Sequence, residues 1–406
     1  MVNYVDQVHA AYARLTHDQL VLFLVARGLS TIGSDQELVH RLSQYDIDTY
    51  DFPADIHNHS SNGSLTMNGS KSRPRQVKAP DIPVEILAEI MDHLGDWELA
   101  KAVGVPTCLP QPLDWTEANQ TDHAVLTGYL PFIRTVDPAS HPPTKVSAIL
   151  MVRFSYVNVL EYFLTHHPSI FRTLYRCDLL PITAAIHGRV SVLTWWKHAR
   201  GLYPDVINVP STASIIKAID GASRHGNVVS LEWWFSSGLP FKYTEASLEM
   251  ASARNHIEVL SWWKRKSKEG KLVMKVGKVM DMASNAGNVE ILDWWACNQP
   301  EVKYDKLAMY HASCHGRVDV LQWWLESGLQ VIFDQDALVG ATKHNRPDVL
   351  DWWDKSGLPI QYRMCDIEEA LEDAIGGGGS ARRWWIRKGV DFNANDAEWM
   401  KLQNLN

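Results

Sequence analysis

A thirteen-residue pattern of apolar and polar positions recurs along this chain. The copy at 283–295 reads ASNAGNVEILDWW: two small residues, a glycine in the fifth position, and an apolar stripe that ends on two tryptophans. Apolar residues three and four apart predict a helix with one wide buried face. The glycine predicts a left-handed turn that ends the helix before it. Each copy therefore predicts two short helices joined by a turn.

Copies of the pattern fill the chain from residue 116 onwards. Clear copies stand at 184–196, 222–234, 251–263, 312–324 and 341–353, and weaker ones at 124–136, 151–163 and around Trp384. Successive tryptophan pairs lie 29 to 38 residues apart, and a period of this size is typical of solenoids. The pattern predicts an all-α solenoid of roughly eight or nine helical repeats over residues 116–406.

The frame of small pair, glycine and Val-Leu stripe resembles the ankyrin repeat, in the variant with tryptophan pairs that is abundant in fungal and protist repeat proteins. The tail GVDFNAND at 389–396 also resembles the ankyrin loop. The TPLH signature is absent and most units are short, which favours a solenoid without long β-hairpin fingers. The resemblance implies an ankyrin-like fold that recognises another protein.

The tryptophan pairs hold 14 of the 17 tryptophans in the chain. Neighbouring side chains on a helix point about 100° apart, so both rings are buried only where two sides of the helix are covered. A solenoid covers both sides. Burial of one tryptophan contributes about 4–6 kcal/mol. We interpret the rings as core; the alternative is a ladder on which bases or sugars stack.

Composition and motifs give no sign of catalysis. The net charge is −8, no apolar run reaches the length of a membrane span, and five scattered cysteines are typical of reduced thiols in an intracellular protein. Four histidines share the fourth slot of the repeat, but adjacent helices lie about 8–10 Å apart, too far for one metal ion. We expect a non-enzymatic protein that uses no metal and no cofactor. Those histidines are His187, His225, His315 and His344.

Residues 15–42 predict two short helices, each opened by a capping box: Thr16 with Gln19, and Ser34 with Glu37. The segment resembles the SAP motif, which implies contact with duplex DNA or chromatin. Residues 1–50 hold three arginines against six acidic residues, so phosphate neutralisation is weak, and the alternative is that the arginines are only solvated. The implied DNA contacts are Arg27, Ser30, Gly33, Ser34 and Arg41.

Residues 51–80 form a polar segment that predicts a flexible linker between the hairpin of residues 1–50 and the rest of the chain. It ends in KSRPRQVK, where Lys71, Arg73 and Arg75 predict a nuclear-import signal or an arm on DNA phosphates. The alternative is a solvated run of charge. An import signal would direct the protein to the nucleus, so we expect a nuclear rather than a cytoplasmic location.

Residues 81–115 form a separate segment. Ile82, Pro83, Glu85 and Leu87 resemble the start of an F-box, and Ile86, Leu87, Ile90 and Leu94 continue as an amphipathic stripe. The resemblance implies docking on the Skp adaptor of a cullin ubiquitin ligase. The alternative is a helical cap on the apolar face of the first repeat.

One inter-repeat segment, residues 264–278, carries seven basic residues against Glu269. It predicts a site for an acidic protein tail or a phosphate; the alternative is a loop that only keeps the protein in solution. We hypothesise an intracellular adaptor that recognises an unidentified protein and is tethered to DNA, and as the alternative an F-box-type substrate receptor. The candidate contacts of the basic segment with its partner are Lys264, Arg265, Lys266, Lys268 and Lys271.

Overall fold

In a computed structural model of the 406-residue chain, the structure describes residues 9, 12–13, 15–26, 29–49, 82–298, 302–392 and 399–405. The chain divides into two compact units, Met1–Leu174 and Tyr175–Asn406. The division falls inside the predicted solenoid. No helix among the described residues is long and apolar enough to cross a membrane.

The first unit holds nine α-helices and one 3₁₀ turn within the described residues. They are α1 (His17–Ala26), α2 (Asp35–Thr49), α3 (Val84–Leu94), α4 (Trp97–Ala102), the 3₁₀ turn Leu113–Trp115, α5 (Gln120–Leu126), α6 (Leu130–Thr135), α7 (Lys145–Arg153), α8 (Val157–His166) and α9 (Pro168–Leu174). The predicted hairpin of residues 15–42 corresponds to α1 and α2. The first two repeats are α5 with α6 and α7 with α8.

The α1–α2 hairpin packs around leucines that the sequence placed on its inward face. Leu20, Leu24, Leu38 and Leu42 are completely buried. In both predicted capping boxes, the backbone amide of the first residue donates to the side chain three positions later. The Thr16 amide donates to Gln19 Oε1 at 3.0 Å and the Ser34 amide to Glu37 Oε2 at 2.7 Å. The predicted two-helix hairpin is confirmed.

The second unit continues the helix pairs. They are α10 (Leu179–Ile186), α11 (Val190–Leu202), α12 (Thr212–Arg224), α13 (Val228–Ser236), α14 (Ala246–Ala253), α15 (Ile257–Lys268), α16 (Val279–Ala286), α17 (Val289–Asn298), α18 (Leu307–Cys314), α19 (Val318–Glu326), α20 (Asp336–Lys343), α21 (Pro347–Lys355), α22 (Met364–Glu372) and α23 (Gly379–Arg387). A 3₁₀ turn, Arg176–Asp178, precedes α10.

Within each unit the first helices of successive repeats contact one another, and in the second unit most second helices contact the next second helix in the same way. The described residues therefore form an ankyrin-like helical-repeat solenoid, as predicted. Between the two helices of a repeat, the fifth slot adopts the left-handed conformation in every clear copy. The φ values are +71° at Gly188, +76° at Gly226, +58° at Asn255, +90° at Gly287, +72° at Gly316 and +54° at Asn345.

The turn glycine is also required because the next repeat lies against it. A Cβ atom at Gly287 would lie 2.9 Å from Cδ of Arg317, the residue that enters the second helix of the following repeat. Glycine at this position therefore allows both the left-handed backbone angle and the close approach of Arg317. Asn255, in the same slot, shows that the angle alone tolerates asparagine.

Long β-hairpin fingers are absent from the described ranges, as predicted. The only strands there are β1 (Gln361–Tyr362) and β2 (Gln403–Asn404), which pair antiparallel. The Leu405 amide also donates to the Ile360 carbonyl at 3.0 Å. Residues 403–405 thus pair with backbone groups of the segment between α21 and α22.

Candidate recognition surfaces

The tryptophan pairs lie in the interior. The second ring of each pair is at most 2% exposed. In the last five pairs its indole nitrogen donates to a hydroxyl in the first helix of the preceding repeat. The bonds run from Trp263 to Ser223 (3.3 Å), Trp295 to Ser252 (2.9 Å), Trp324 to Ser284 (3.0 Å), Trp353 to Ser313 (3.0 Å) and Trp385 to Thr342 (2.9 Å). The second residue of the small pair is therefore the acceptor for the next repeat.

The first ring of each pair is buried or half-buried. In five pairs its indole nitrogen donates to the side chain just before the tryptophan pair of the preceding repeat. These bonds run from Trp233 to Thr194 (2.9 Å), Trp262 to Glu232 (2.7 Å), Trp323 to Asp293 (2.6 Å), Trp352 to Gln322 (2.8 Å) and Trp384 to Asp351 (2.5 Å). Both rings thus bond successive repeats, and the interpretation as core is confirmed. The alternative stacking ladder is wrong.

One indole breaks the pattern. Trp234 Nε1 is buried and has no hydrogen-bond partner. The slot that supplies a hydroxyl in the later repeats holds Ala185 here. The missing hydroxyl explains the unpaired donor, which is an unfavourable arrangement in a dry interior.

The histidines of the fourth slot lie at the carboxyl ends of the first helices. Nδ1 of His225 lies 2.9 Å from the Gly221 carbonyl, and Nδ1 of His315 lies 2.9 Å from the His311 carbonyl. The rings of His315 and His344 are 6.0 Å apart. Burial, with the charge of His315, lowers the pKa of His344. Within the described ranges no group of side chains has the arrangement of a metal site.

Two lysines of the basic segment, residues 264–278, make contacts with other parts of the protein. Lys266 is only 7% exposed and forms an ion pair of 2.9 Å with Glu232. Lys264 donates to Asn298 and lies over the Trp294 ring at 5.8 Å. The prediction of Lys266 as a partner contact is wrong, because a buried and paired ammonium is inaccessible. Arg265, Lys268 and Lys271 are exposed.

In the α1–α2 hairpin, the residues with an implied role in DNA contact already have intramolecular partners. Arg41 donates to the carbonyls of Ser30 at 2.5 Å and Ile32 at 3.2 Å. The Ser34 hydroxyl lies 3.2 Å from the Glu37 carboxylate, and the bonds from Ser34 lower the pKa of Glu37. An anionic side chain therefore stands beside Ser34, which opposes a phosphate there.

The remaining implied DNA contacts are a loop glycine and four residues that lie outside the described part of the chain. Gly33 adopts a φ of +140° in the loop between the helices. Arg27, Lys71, Arg73 and Arg75 lie outside the described residues, as does the linker of residues 51–80. DNA contact stays a prediction.

Helix α3 presents an apolar face to solvent. No residue of α3 is buried, and four large apolar side chains spaced four apart are strongly exposed: Ile82 (48%), Ile86 (48%), Ile90 (41%) and Leu94 (60%). Ile86, Ile90 and Leu94 lie on one face of α3, since residues four apart share a helix face, and Ile82 directly precedes Pro83, the N-cap of the helix. These exposed side chains do not cover the first repeat, whereas α4 of the same segment contacts α5, the first helix of that repeat, so the alternative of a helical cap stays open for α4.

The opposite side of α3 holds the helix in place. The Thr107 hydroxyl and the Cys108 amide donate to the Asp92 carboxylate at 2.5 and 3.1 Å, and these bonds lower the pKa of Asp92. Glu85 and Leu87, two of the predicted docking residues, are half-buried on this inner side, whereas Ile82 and Pro83 are exposed. The accessible stripe therefore excludes Leu87.

Sequence reasoning missed the anchor of this region. Arg153 of α7 forms ion pairs with Asp96 and with Glu98, the latter at 2.5 Å. Trp115 Nε1 donates to Glu98 Oε1 at 2.8 Å, and its ring lies 5.4 Å from that of Trp97. The signal in the sequence was Trp97 and Trp115, two of the three tryptophans outside the pairs. Helix α4 is thus fixed to the repeats while α3 is presented outward.

These features define the class of the protein: a helical-repeat solenoid of ankyrin-like units that carries an exposed amphipathic helix. The ankyrin repeat domain of human ASB11 is similar to part of it, with 17% sequence identity and a TM-score of 0.36, over 52% of this chain and 98% of that domain. No family model matches the sequence. No curated protein matches it significantly.

Proposed function

We propose that this chain is a non-enzymatic intracellular substrate receptor of the F-box type. In this proposal α3 docks on a Skp-type adaptor and the solenoid binds the protein to be modified. One observation carries it: the stripe Ile82, Ile86, Ile90 and Leu94 is exposed while the other side of α3 is held by the protein. An amphipathic helix of this kind fits an apolar groove on a partner.

Exposed apolar side chains in a row are unusual on a protein without a partner for them. The stripe is flanked by the exposed carboxylate of Glu89, so the complementary groove has an apolar floor and a basic rim. The Skp-type adaptor is the occupant that the sequence resemblance implies.

The test is capture of a purified Skp–cullin pair by the full chain. Ile86→Glu combined with Ile90→Glu should abolish recovery, because two carboxylates would enter an apolar interface. Leu113→Glu is the matched control, since Leu113 is 85% exposed and lies outside the stripe. Equal recovery of both variants, or no recovery of the unchanged chain, overturns the proposal.

A tether to duplex DNA is the second candidate. The fold of the α1–α2 hairpin favours it, and the internal bonds of Arg41 and the carboxylate beside Ser34 oppose it. Titration of the full chain with duplex DNA at low and moderate salt tests it, since phosphate contacts give salt-sensitive binding. If no binding is detected at low salt, the proposed DNA tether is excluded, and so is the nuclear location that was inferred with it.

A further inference from the structure

One segment of the solenoid carries a local excess of positive charge. Residues 264–278 hold seven basic side chains and one acidic side chain, in a chain whose net charge is −8. The segment comprises the end of α15 and the loop that leads to α16. Because the rest of the chain is acidic, this local excess of positive charge is a distinct electrostatic feature.

The loop is held in a defined path by the preceding loop. The Tyr243 hydroxyl donates to the Val273 carbonyl at 2.5 Å. In the other direction Lys275 Nζ donates to the Tyr243 carbonyl at 2.9 Å and lies 4.9 Å from the centre of the Tyr243 ring. The two loops therefore present a preformed surface, which lowers the entropic cost of binding.

Part of the positive charge on this surface is unpaired. Arg265 and Lys268 are exposed and lie three residues apart on α15, so they share a face. Among the described residues no carboxylate lies within ion-pair distance of either. Lys271 pairs with Glu269 at 2.7 Å. The hydrogen bond from Lys271 lowers the pKa of Glu269, and the charges of Lys266 and Arg265 act in the same direction.

An apolar side chain interrupts the basic run. Val273 is 74% exposed although its carbonyl is held by Tyr243. A basic run beside an exposed apolar side chain is complementary to a peptide that carries both acidic and apolar side chains. A surface used only for solubility would gain nothing from an ordered, exposed valine.

We propose that Arg265, Lys268, Val273 and Lys275 form a docking surface for an acidic, unstructured segment of the client protein, with an apolar side chain of that segment on Val273. This inference rests on the proposed receptor function and names the class of client. A short acidic segment is small enough for all of its negative charges to lie on the basic surface. Duplex DNA carries one charge per ~1.7 Å and would extend over the acidic remainder of the chain, which repels it.

The experiment measures binding of a labelled peptide of alternating Glu and Leu to the full chain by fluorescence anisotropy. The same peptide with Gln in place of Glu is the probe control. Arg265→Glu with Lys268→Glu should weaken binding about tenfold, since unlike charges become like charges. Lys355→Glu is the matched variant: Lys355 is exposed and follows its tryptophan pair by the same interval as Arg265.

The expected result is binding of the Glu peptide alone, a loss confined to the double variant, and no effect of Lys355→Glu. The inference is overturned if the Gln peptide binds equally, if the double variant binds unchanged, or if duplex DNA displaces the peptide at lower concentration. The Ile86→Glu, Ile90→Glu chain should bind the peptide normally. Failure of α3 docking and failure of this surface are thereby distinguished.

Discussion

The indole nitrogen of Trp295 donates a hydrogen bond of 2.9 Å to the hydroxyl of Ser252, which lies in the first helix of the preceding repeat. Both side chains are fully buried. The bond joins residues that are 43 positions apart, and the same contact recurs through the last five repeats. It pairs a polar atom that each tryptophan would otherwise bury without a partner.

Breaking that contact should cost stability. Ser252→Ala leaves the Trp295 N–H buried and unpaired, so we expect a loss of about 1–2 kcal/mol in the free energy of unfolding. Chemical denaturation monitored by tryptophan fluorescence measures it. In a double-mutant cycle with Trp295→Phe, the serine change should cost much less once the donor is gone. Equal costs in both backgrounds would refute the role of this bond.

Restoring the contact where it is missing should stabilise the protein. Ala185→Ser supplies the hydroxyl that Trp234 lacks, and we expect a gain of about 1 kcal/mol in the free energy of unfolding. Ala184→Ser, on the same buried helix, is the control and should destabilise because its hydroxyl meets no indole donor. A loss of stability in the Ala185→Ser variant would show that the new hydroxyl does not reach Trp234.

The turn between helices gives a third test. Gly287→Ala should lower the free energy of unfolding by about 1–2 kcal/mol, since φ is +90° and the new Cβ would meet Arg317 at 2.9 Å. Gly201, near the end of α11, has open space at its Cβ position. Gly201→Ala should be neutral or slightly stabilising. Similar thermal midpoints for the two variants would contradict this account.

Stability should depend on pH through Asp281. This side chain is 3% exposed, its Oδ1 has no hydrogen-bond partner, and burial, followed by the charge of Asp305, raises its pKa to about 6. The unfolded chain has the usual value of 3.8, so the folded state binds more protons between these limits and loses stability as pH rises through about 6. Asp281→Asn should therefore stabilise the protein by about 2 kcal/mol at neutral pH.

The effect of Asp281→Asn should disappear below about pH 4, where the carboxyl is protonated in both states. Denaturation at several pH values measures the difference between the variant and the unchanged chain. A difference that is constant with pH would show that Asp281 does not titrate as its surroundings require.

The exposure of α3 makes a separate prediction about stability. Ile86→Ser should change the free energy of unfolding by less than about 0.5 kcal/mol, because an exposed side chain loses little on removal. Ile133→Ser, at a fully buried position of α6, should cost about 3 kcal/mol. A comparable loss in Ile86→Ser would mean that the stripe is covered by the protein itself.

The sequence alone determined the helix pairs, their period and the two-helix hairpin. These features follow from spacing within one repeat: the left-handed slot at Gly287 and the stripe that ends at Trp294 and Trp295 are legible because helix geometry relates residues three and four apart. The interior position of the rings followed from the same argument, since only a helix covered on two sides buries neighbouring side chains.

Only the tertiary structure decided which residues meet across repeats and which faces stay uncovered. Spacing does not reveal that Ser252 is the acceptor for Trp295, that Lys266 is buried beside Glu232, or that Arg41 is used within its own hairpin. It also left the stripe of Ile86 and Ile90 open to two interpretations. These outcomes depend on contacts between distant segments, because burial and pairing are properties of the packed chain and not of any local pattern.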